Sequence, residues 1–193
     1  MVVFALTRWP GLMPPNFSAV YALMFCAGVY FPKRLAWWLP FAMMFITDIL
    51  LTRFYYHASF GWEIIGNYVC YAVLVWLGRR FSPKASWLAL VGGGLLGAII
   101  FYLVSNTFSW LFNPYHNPEY TRTIAGWIKA LTTGISGWPQ TWEFFRNTLT
   151  SSGLFTGVFA GAMKIMEALE PEEDEEPVQE PEKDEQPREA EAS

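Results

Sequence analysis

Seven residues of this sequence have the chemistry of a binding site for a small solute: Asn16, Asp48, Asn106, Trp110, Tyr115, Tyr120 and Arg122. Asp48 and Asn106 stand inside apolar runs, where a polar group costs free energy unless it has a partner or a use. Residues 102–123 begin as the end of an apolar run and finish as an aromatic loop with two Asn-Pro dipeptides. We interpret this stretch as one wall of the site.

Each type of side chain suggests a role in binding. The carboxylate of Asp48 would serve as a charge partner or contact a cation, and the amides of Asn16 and Asn106 would form hydrogen bonds. Trp110, Tyr115 and Tyr120 would supply aromatic walls. Arg122 would contact an anionic group of the solute.

The sequence offers little for catalysis or metal binding. Its two histidines, His57 and His116, fall in predicted loops, and it contains no Ser/His/Asp order, HExxH motif or Cys/His cluster. An intramembrane enzyme would need Asp48 within hydrogen-bond distance of one of these histidines. We therefore predict that the chain is not an enzyme and has no catalytic residue, metal or cofactor.

Charge is very unevenly distributed along the 193 residues. Residues 170–193 contain 12 of the 17 acidic residues and only 2 of the 13 basic residues. This tail has little to bury and is predicted to be disordered. The preceding body is rich in apolar runs and aromatic residues, which predicts an integral membrane domain. The acidic tail, together with basic residues confined to loops, argues against nucleic-acid binding.

Apolar runs separated by helix breakers predict an all-α integral membrane bundle of about six transmembrane helices. Residues 1–15 contain Pro10-Gly11 and Pro14-Pro15, which interrupt a helix and predict an interfacial or re-entrant segment. Residues 16–169 form the transmembrane domain, and Asn16 or Ser18 would cap its first helix. The predicted helices cover residues 17–31, 35–52, 62–78, 85–110, 122–137 and 148–168. Residues 122–137 could instead form an interfacial helix, which would leave five spans.

Two stripes of small residues predict close packing between helices. They recur at four-residue spacing on the first and the last helix: Ser18, Ala22 and Cys26, and Gly153, Gly157 and Gly161. Packing within the chain explains the first stripe, and docking to a partner subunit is the alternative. Cys26 and Cys70 lie in apolar runs and are interpreted as packing residues rather than as a disulfide.

The basic loops bear on the orientation in the membrane. With six spans, the loops opposite the termini hold six basic residues against four on the terminal side, which favours an outside N-terminus. Five spans would bring the acidic tail to the side of the basic loops. With either number, the predicted binding residues belong near one face of the membrane, because odd helices start where even helices end.

Several short motifs resemble a known family when they are taken as a set. They are Arg8-x-Pro10, Pro15-Asn16-Phe17-Ser18, Thr47-Asp48, Ser105-Asn106 with Trp110, Tyr120-x-x-Thr123-x-x-Gly126, and Trp138-Pro139. Over roughly residues 8–165 they resemble a family of small bacterial membrane proteins that is of unknown function and carries a provisional transport label. In size and helix count that family is similar to the substrate-binding S components of energy-coupling-factor transporters.

The resemblance implies a multi-pass protein of the bacterial inner membrane that binds and moves a small solute, such as a vitamin or another metabolite. Its partners would be the lipid bilayer and a coupling or energising subunit, to which S components dock through small residues on their first helix. The alternative is a structural or assembly subunit without a ligand. In that case Asp48 and Asn106 would bond each other or a backbone carbonyl.

Overall fold

The computed structural model describes residues 2–58, 61 and 64–169. All regular structure in these ranges is helical, which confirms the prediction of an all-α chain for this part of the protein. The elements are α1 (Val2–Thr7), α2 (Val20–Tyr30), α3 (Lys33–Leu50), α4 (Ile64–Gly78), α5 (Trp87–Phe112), α6 (Ile124–Leu131) and α7 (Thr141–Leu169). A π-helical turn, Leu51–Tyr55, continues α3. The predicted acidic tail and the first two residues of the predicted third helix, 62 and 63, lie outside the described residues.

The N-terminal segment packs against the bundle as a short helix followed by turns. Phe4 on α1 is buried. The hydroxyl of Thr7 accepts a hydrogen bond of 3.1 Å from the backbone N–H of Ala19, just before α2. Asn16 has a left-handed backbone with φ of 60°, so α2 begins only at Val20. Asn16 therefore does not cap this helix.

Five helices run back and forth between two ends of the bundle: α2, α3, α4, α5 and α7. We call the end where α2, α4 and α7 begin the N-terminal end, and the opposite one the basic end. The amide of Asn147 on α7 donates to the carbonyl of Pro15 (2.9 Å) at the N-terminal end. At the basic end, the rings of Tyr30 and Phe159 have centroids 5.5 Å apart. The described chain thus starts at one end and finishes, at Leu169, at the other.

The helix α6 lies at the N-terminal end and does not run the length of the bundle. The indole of Trp127 donates to the hydroxyl of Thr107 at 2.9 Å, and the Tyr102 hydroxyl donates to the carbonyl of Leu131. The prediction extended this helix over residues 122–137, but it ends at Leu131. Non-helical backbone at Thr132 and a positive φ of 68° at Gly134 break it.

Glycine allows α2 and α4 to cross in direct backbone contact. A Cβ atom on Gly28 would overlap the carbonyl oxygen of Val75, and one on Gly78 would overlap that of Phe25. This contact holds α2 at the centre of the bundle, where nine of its eleven residues are buried. Ala22 and Cys26, on the small-residue stripe of α2, are buried among them, so packing within the chain accounts for both.

The last helix has polar residues inside and apolar residues outside. Its buried face carries the hydroxyls of Thr148, Ser151, Ser152 and Thr156, and the Ser152 hydroxyl donates to the carbonyl of Gly94 at 2.8 Å. The helix is exposed at its apolar side chains: Leu154, Val158, Ile165 and Met166. Its glycine stripe faces α5, where the indole of Trp87 donates to the carbonyl of Gly157 (2.9 Å). Such an inverted pattern is typical of helices packed in lipid.

Two of the described helical stretches are long and apolar enough to cross a membrane, Lys33–Tyr55 and Trp87–Phe112, with mean hydropathies of 1.6 and 2.2. Only 17% and 33% of their most apolar windows are buried. A core helix of a soluble protein would be mostly buried, so the exposed apolar surface of these two helices indicates membrane association.

Candidate functional site

Three adjoining cavities occupy the N-terminal end of the bundle. The entrance cavity, about 570 Å³, lies between residues 7–18 and the end of α3. The side cavity, about 280 Å³, lies between the end of α3, the start of α4 and the end of α5. The inner cavity, about 220 Å³, lies among α2, α4, α5 and α7. Asn67, Ser105 and Ser109 line both the side and the inner cavity, and Asn16, Tyr21 and Tyr71 line both the inner and the entrance cavity.

The described residues that line the inner cavity are all uncharged: Asn16, Tyr21, Asn67, Tyr71, Phe101, Tyr102, Ser105, Asn106, Ser109, Thr141, Phe144 and Thr148. The rings of Tyr71 and Phe101 stack with centroids 5.6 Å apart and planes 16° apart. Tyr21 meets Phe101 edge-on, with centroids 4.8 Å apart. The cavity therefore combines a flat aromatic wall with amides and hydroxyls that donate and accept hydrogen bonds.

The Asp48 carboxylate connects the N-terminal segment to α3 and α4. It forms an ion pair with the Arg8 guanidinium, and its other oxygen accepts a 2.8 Å hydrogen bond from the Tyr68 hydroxyl. Arg8 also contacts the sulfur of Met44 at 2.9 Å. The Arg8 and Asp48 side chains are 16% and 13% exposed. Asp48 lines both the side and the entrance cavity, so the ion pair stands between them.

The predicted partners of Asp48 did not include Arg8. In the sequence, Arg8 is conspicuous as part of a family motif and as one of the basic residues on the terminal side. The signal that could have found the pair was the rule that a carboxylate in an apolar run needs a base. A separation of 40 positions in the sequence gives no local spacing that would select Arg8 over the other bases. The π-helical turn after Asp48 carries Thr52, which lines the same two cavities.

Four of the seven predicted binding residues line the cavities: Asn16, Asp48, Asn106 and Tyr115. The Asn106 amide also donates to the carbonyl of Tyr102 (2.8 Å), one turn earlier in α5. The other three, Trp110, Tyr120 and Arg122, line none of the three cavities.

The loop after α5 is bonded mainly to itself and to α6. The indole of Trp110 donates to the carbonyl of Thr121 (2.7 Å), and Asn113 and Asn117 exchange two hydrogen bonds of 2.7 and 2.9 Å. Pro114 and Tyr115 alone of this loop reach the side cavity. Most of residues 113–123 therefore do not line the cavities. They bond to one another and to the end of α5 instead.

Glu119 fastens this loop to α6 and the segment after it. Its carboxylate pairs with Lys129 and accepts hydrogen bonds from the backbone N–H (2.9 Å) and the hydroxyl (3.1 Å) of Ser136. These partners, Lys129 first, hold the pKa of Glu119 below its usual value. Burial, with a smaller contribution from the Glu119 charge, raises the pKa of the neighbouring Tyr120.

Sequence reasoning missed the contribution of α4 and α7 to the inner cavity. Asn67 and Tyr71 come from α4, one turn apart, and Thr141 and Thr148 come from α7. On α7 the sequence contains such a signal: Thr148, Ser152 and Thr156 recur at four-residue spacing beside the glycine stripe. A stripe of hydroxyl residues next to a stripe of glycines indicates that the helix is buried on two faces, because both types of residue pack against neighbouring helices in a membrane.

The described residues offer no arrangement for metal chemistry. No three His, Cys, Asp or Glu side chains among them lie close enough together to hold a metal ion. His57 and His116 are exposed and line none of the three cavities. Cys26 and Cys70 are free and buried.

Comparison with known proteins gives one match. The model of a family of unknown function (DUF6580) matches residues 1–173. No curated protein and no solved structure matches the chain. The resemblance to a family of unknown function is thereby confirmed, whereas the transport label and the likeness to S components remain predictions.

Proposed function

We propose that this chain, which belongs to the DUF6580 family of unknown function, is a multi-pass membrane protein that binds a small uncharged solute in the inner cavity. The observation that carries the proposal is the lining of that cavity. Its polar side chains come from the segment before α2 and from four helices, and among the described residues none of them is charged. Polar groups gathered inside a lipid-embedded bundle are costly unless they have a use.

The proposed bundle crosses the membrane five times. The helices α2, α3, α4, α5 and α7 each run between the two ends, whereas the eight residues of α6 are about 12 Å long at 1.5 Å per residue. Because α6 packs only at the N-terminal end and the chain breaks after it at Gly134, it does not reach the basic end and is not counted as a span. The six-span arrangement would need residues 122–137 to form one continuous helix.

The proposed orientation follows from the basic residues. Six described basic residues lie at the basic end: Lys33, Arg34, Arg79, Arg80, Lys84 and Lys164. Five lie at the N-terminal end: Arg8, Arg53, Arg122, Lys129 and Arg146. Among the described residues, Arg8 and Lys129 at the N-terminal end form ion pairs with acids, and at the basic end Lys164 alone does so. The positive-inside tendency favours a cytoplasmic basic end. The cavities would then open toward the outside of a bacterial inner membrane.

The solute class follows from the walls of the cavity. A charged solute would lose its hydration without gaining a counter-charge in the inner cavity, which is costly. A flat solute with both donors and acceptors would stack on the Tyr71–Phe101 pair and bond to the amides and hydroxyls. The combined space of the inner and side cavities is within the usual range for small-molecule sites.

Binding alone does not move a solute across the membrane. The backbone contact between Gly28 and Gly78 fills the bundle toward the basic end. A solute bound in the inner cavity would therefore need a rearrangement, or a coupling subunit that provides one, to leave on the other side. This supports the role of a solute-binding subunit more than that of an open channel.

A panel of uncharged metabolites tests the proposal through thermal stabilisation of the purified protein. Thr148→Val removes a hydroxyl from the inner cavity at nearly constant volume, and Thr150→Val makes the same change at an exposed position of the same helix. A true ligand should stabilise the wild type and the Thr150 variant equally and the Thr148 variant at least several-fold less at equal concentration. Equal stabilisation of all three proteins by such a ligand would place its site elsewhere.

A structural or assembly subunit without a ligand is the second candidate. It is favoured by the internal partners of the key polar groups, since Asp48 is bonded to Arg8 and Tyr68, and Asn106 is bonded to a backbone carbonyl. Purification from native membranes in a mild detergent separates the two. A fixed stoichiometric complex whose members are all insensitive to the metabolite panel would favour this candidate.

A further inference from the structure

The basic end carries a surface with almost no acidic counterpart among the described residues. It is formed by the start of α3, residues 79–84 between α4 and α5, and the last turns of α7. Its six bases are Lys33, Arg34, Arg79, Arg80, Lys84 and Lys164. Glu167 is the one acidic residue described at this end, and it pairs with Lys164. The other five bases are exposed and form no ion pair among the described residues.

The chain leaves the described region at this same surface. Met163, Lys164, Met166 and Glu167 of α7 line a cavity of about 210 Å³ together with Tyr30, Pro83 and Lys84. The helix ends at Leu169, and the sequence continues with EPEEDEE at residues 170–176, which contains six acidic residues. The densest negative charge of the chain therefore begins within a turn or two of its densest group of exposed bases.

We propose that residues 170–176 dock on the basic end and neutralise it, so that the acidic tail is an intramolecular partner of the membrane domain. Six carboxylates face five exposed bases, which is close to charge balance. Each contact at the surface is weak by itself, but several charges in a network contribute together. Arg79 and Arg80 can bind carboxylates with two parallel hydrogen bonds.

The length of the segment is sufficient for this contact. Seven extended residues span up to about 25 Å, and a helix with its side chains is about 10 Å wide. The segment can therefore pass over two or three of the helix ends that form the surface. Because it is joined directly to α7, its effective concentration at the surface is of millimolar order, which a separate acidic partner would have to exceed.

Carbodiimide crosslinking of the full-length protein in nanodiscs of neutral lipid tests the proposal. This reagent joins a carboxylate to a lysine amine that it contacts, and mass spectrometry locates the bond. We expect crosslinks from residues 170–176 to Lys33 and Lys84, and a Glu119–Lys129 crosslink as the internal positive control. In 0.5 M salt the tail crosslinks should fall at least fivefold, because the screening length drops to a few ångströms. The control crosslink should change less than twofold.

Two full-length variants with equal loss of charge provide the matched comparison. The proximal variant carries Glu170→Gln, Glu172→Gln, Glu173→Gln, Asp174→Asn, Glu175→Gln and Glu176→Gln. The distal variant carries Glu180→Gln, Glu182→Gln, Asp184→Asn, Glu185→Gln, Glu189→Gln and Glu191→Gln. Labelling of Lys33 and Lys84 by an amine-reactive reagent should rise at least twofold in the proximal variant and stay near wild type in the distal one. Labelling of Lys129 should be the same in all three proteins.

Three results would overturn the proposal. The first is an absence of tail crosslinks, or tail crosslinks to Lys129 as frequent as those to Lys33 and Lys84. The second is equal labelling in the proximal and distal variants, which would indicate a general charge effect. The third is loss of the tail crosslinks in nanodiscs with 30% anionic lipid, since lipid headgroups would then be the occupants of the surface. Crosslinks that persist within twofold in anionic nanodiscs support the intramolecular contact.

Discussion

Replacing Asp48 by Asn tests the ion pair that joins the N-terminal segment to the bundle. The substitution keeps the shape of the side chain and its ability to bond to the Tyr68 hydroxyl, but it removes the negative charge facing Arg8. The guanidinium would remain mostly buried, and its Nε atom has no hydrogen-bond partner in the part of the chain that the structure describes. The variant therefore leaves a poorly compensated positive charge between two cavities.

The expected cost follows from the burial of the pair. Removing one partner of a fully buried ion pair costs about 3–5 kcal/mol. Here the two side chains are 16% and 13% exposed, so water reduces the penalty, and we expect about 2–3 kcal/mol. For a chain of this size that loss lowers the melting temperature by about 5–10 °C. The Arg8→Gln variant should lose a similar amount, and the double variant less than the sum of the two.

The assay is thermal unfolding of the purified proteins in one detergent at one pH. Glu167→Gln is the matched control, since it makes the same chemical change in an exposed pair with Lys164. Exposed pairs three residues apart contribute about 0.5 kcal/mol or less, so this variant should melt within about 2 °C of wild type. Equal shifts for Asp48→Asn and Glu167→Gln, or strictly additive effects of Asp48→Asn and Arg8→Gln, would refute the reasoning.

The remaining predictions concern the helix crossing, a side-chain hydrogen bond and the loop before α6. Gly78→Ala should destabilise by about 2 kcal/mol or more, because its Cβ would overlap the Phe25 carbonyl, whereas Gly92→Ala in open space should be neutral or stabilising in the same unfolding assay. Trp87→Phe should cost about 1 kcal/mol through loss of its bond to the Gly157 carbonyl; an unchanged melting temperature would contradict that contact. The pKa of Glu119 is lowered in the folded protein, so its stabilising effect is complete above the unfolded value of about 4.3 and is lost as the pH falls through the lower folded value. Glu119→Gln should therefore flatten the acid limb of a stability–pH curve measured by tryptophan fluorescence, and an acid limb identical to that of wild type would contradict it.

The helical nature of the chain was readable from the sequence because it depends on apolar runs. The ends of the helices were less predictable because they depend on distant partners. The helix α2 starts at Val20 because the backbone of Asn16 is left-handed, and the Ala19 N–H donates to the hydroxyl of the distant Thr7. The helix α7 starts at Thr141 rather than at residue 148, because Thr141, Phe144 and Phe145 pack at the N-terminal end.

The candidate site was predictable only where a polar residue interrupts an apolar run. Asp48 and Asn106 stood out because a polar residue in an apolar run is conspicuous in sequence. Tyr71 and Tyr21 did not, since an aromatic residue in such a run looks like any core residue. Only the stacking of Tyr71 on Phe101 beside the amides identifies a cavity wall. Trp110 and Arg122 were predicted to belong to the site because they lie at the same end of the bundle. Their position along the bundle does not determine the direction of their side chains.

Cysteine accessibility in intact membranes tests the central claim, a polar cavity inside a lipid-embedded bundle, most directly. Ser105→Cys introduces a thiol on the wall shared by the inner and side cavities, and Val104→Cys introduces one on the outer surface of the same helix. The native Cys26 and Cys70 are buried and provide the background. The account predicts that a small, uncharged, water-soluble thiol reagent modifies the Ser105 variant at least tenfold faster than the Val104 variant. Equal rates in the two variants, or no reaction at Ser105→Cys, would contradict it.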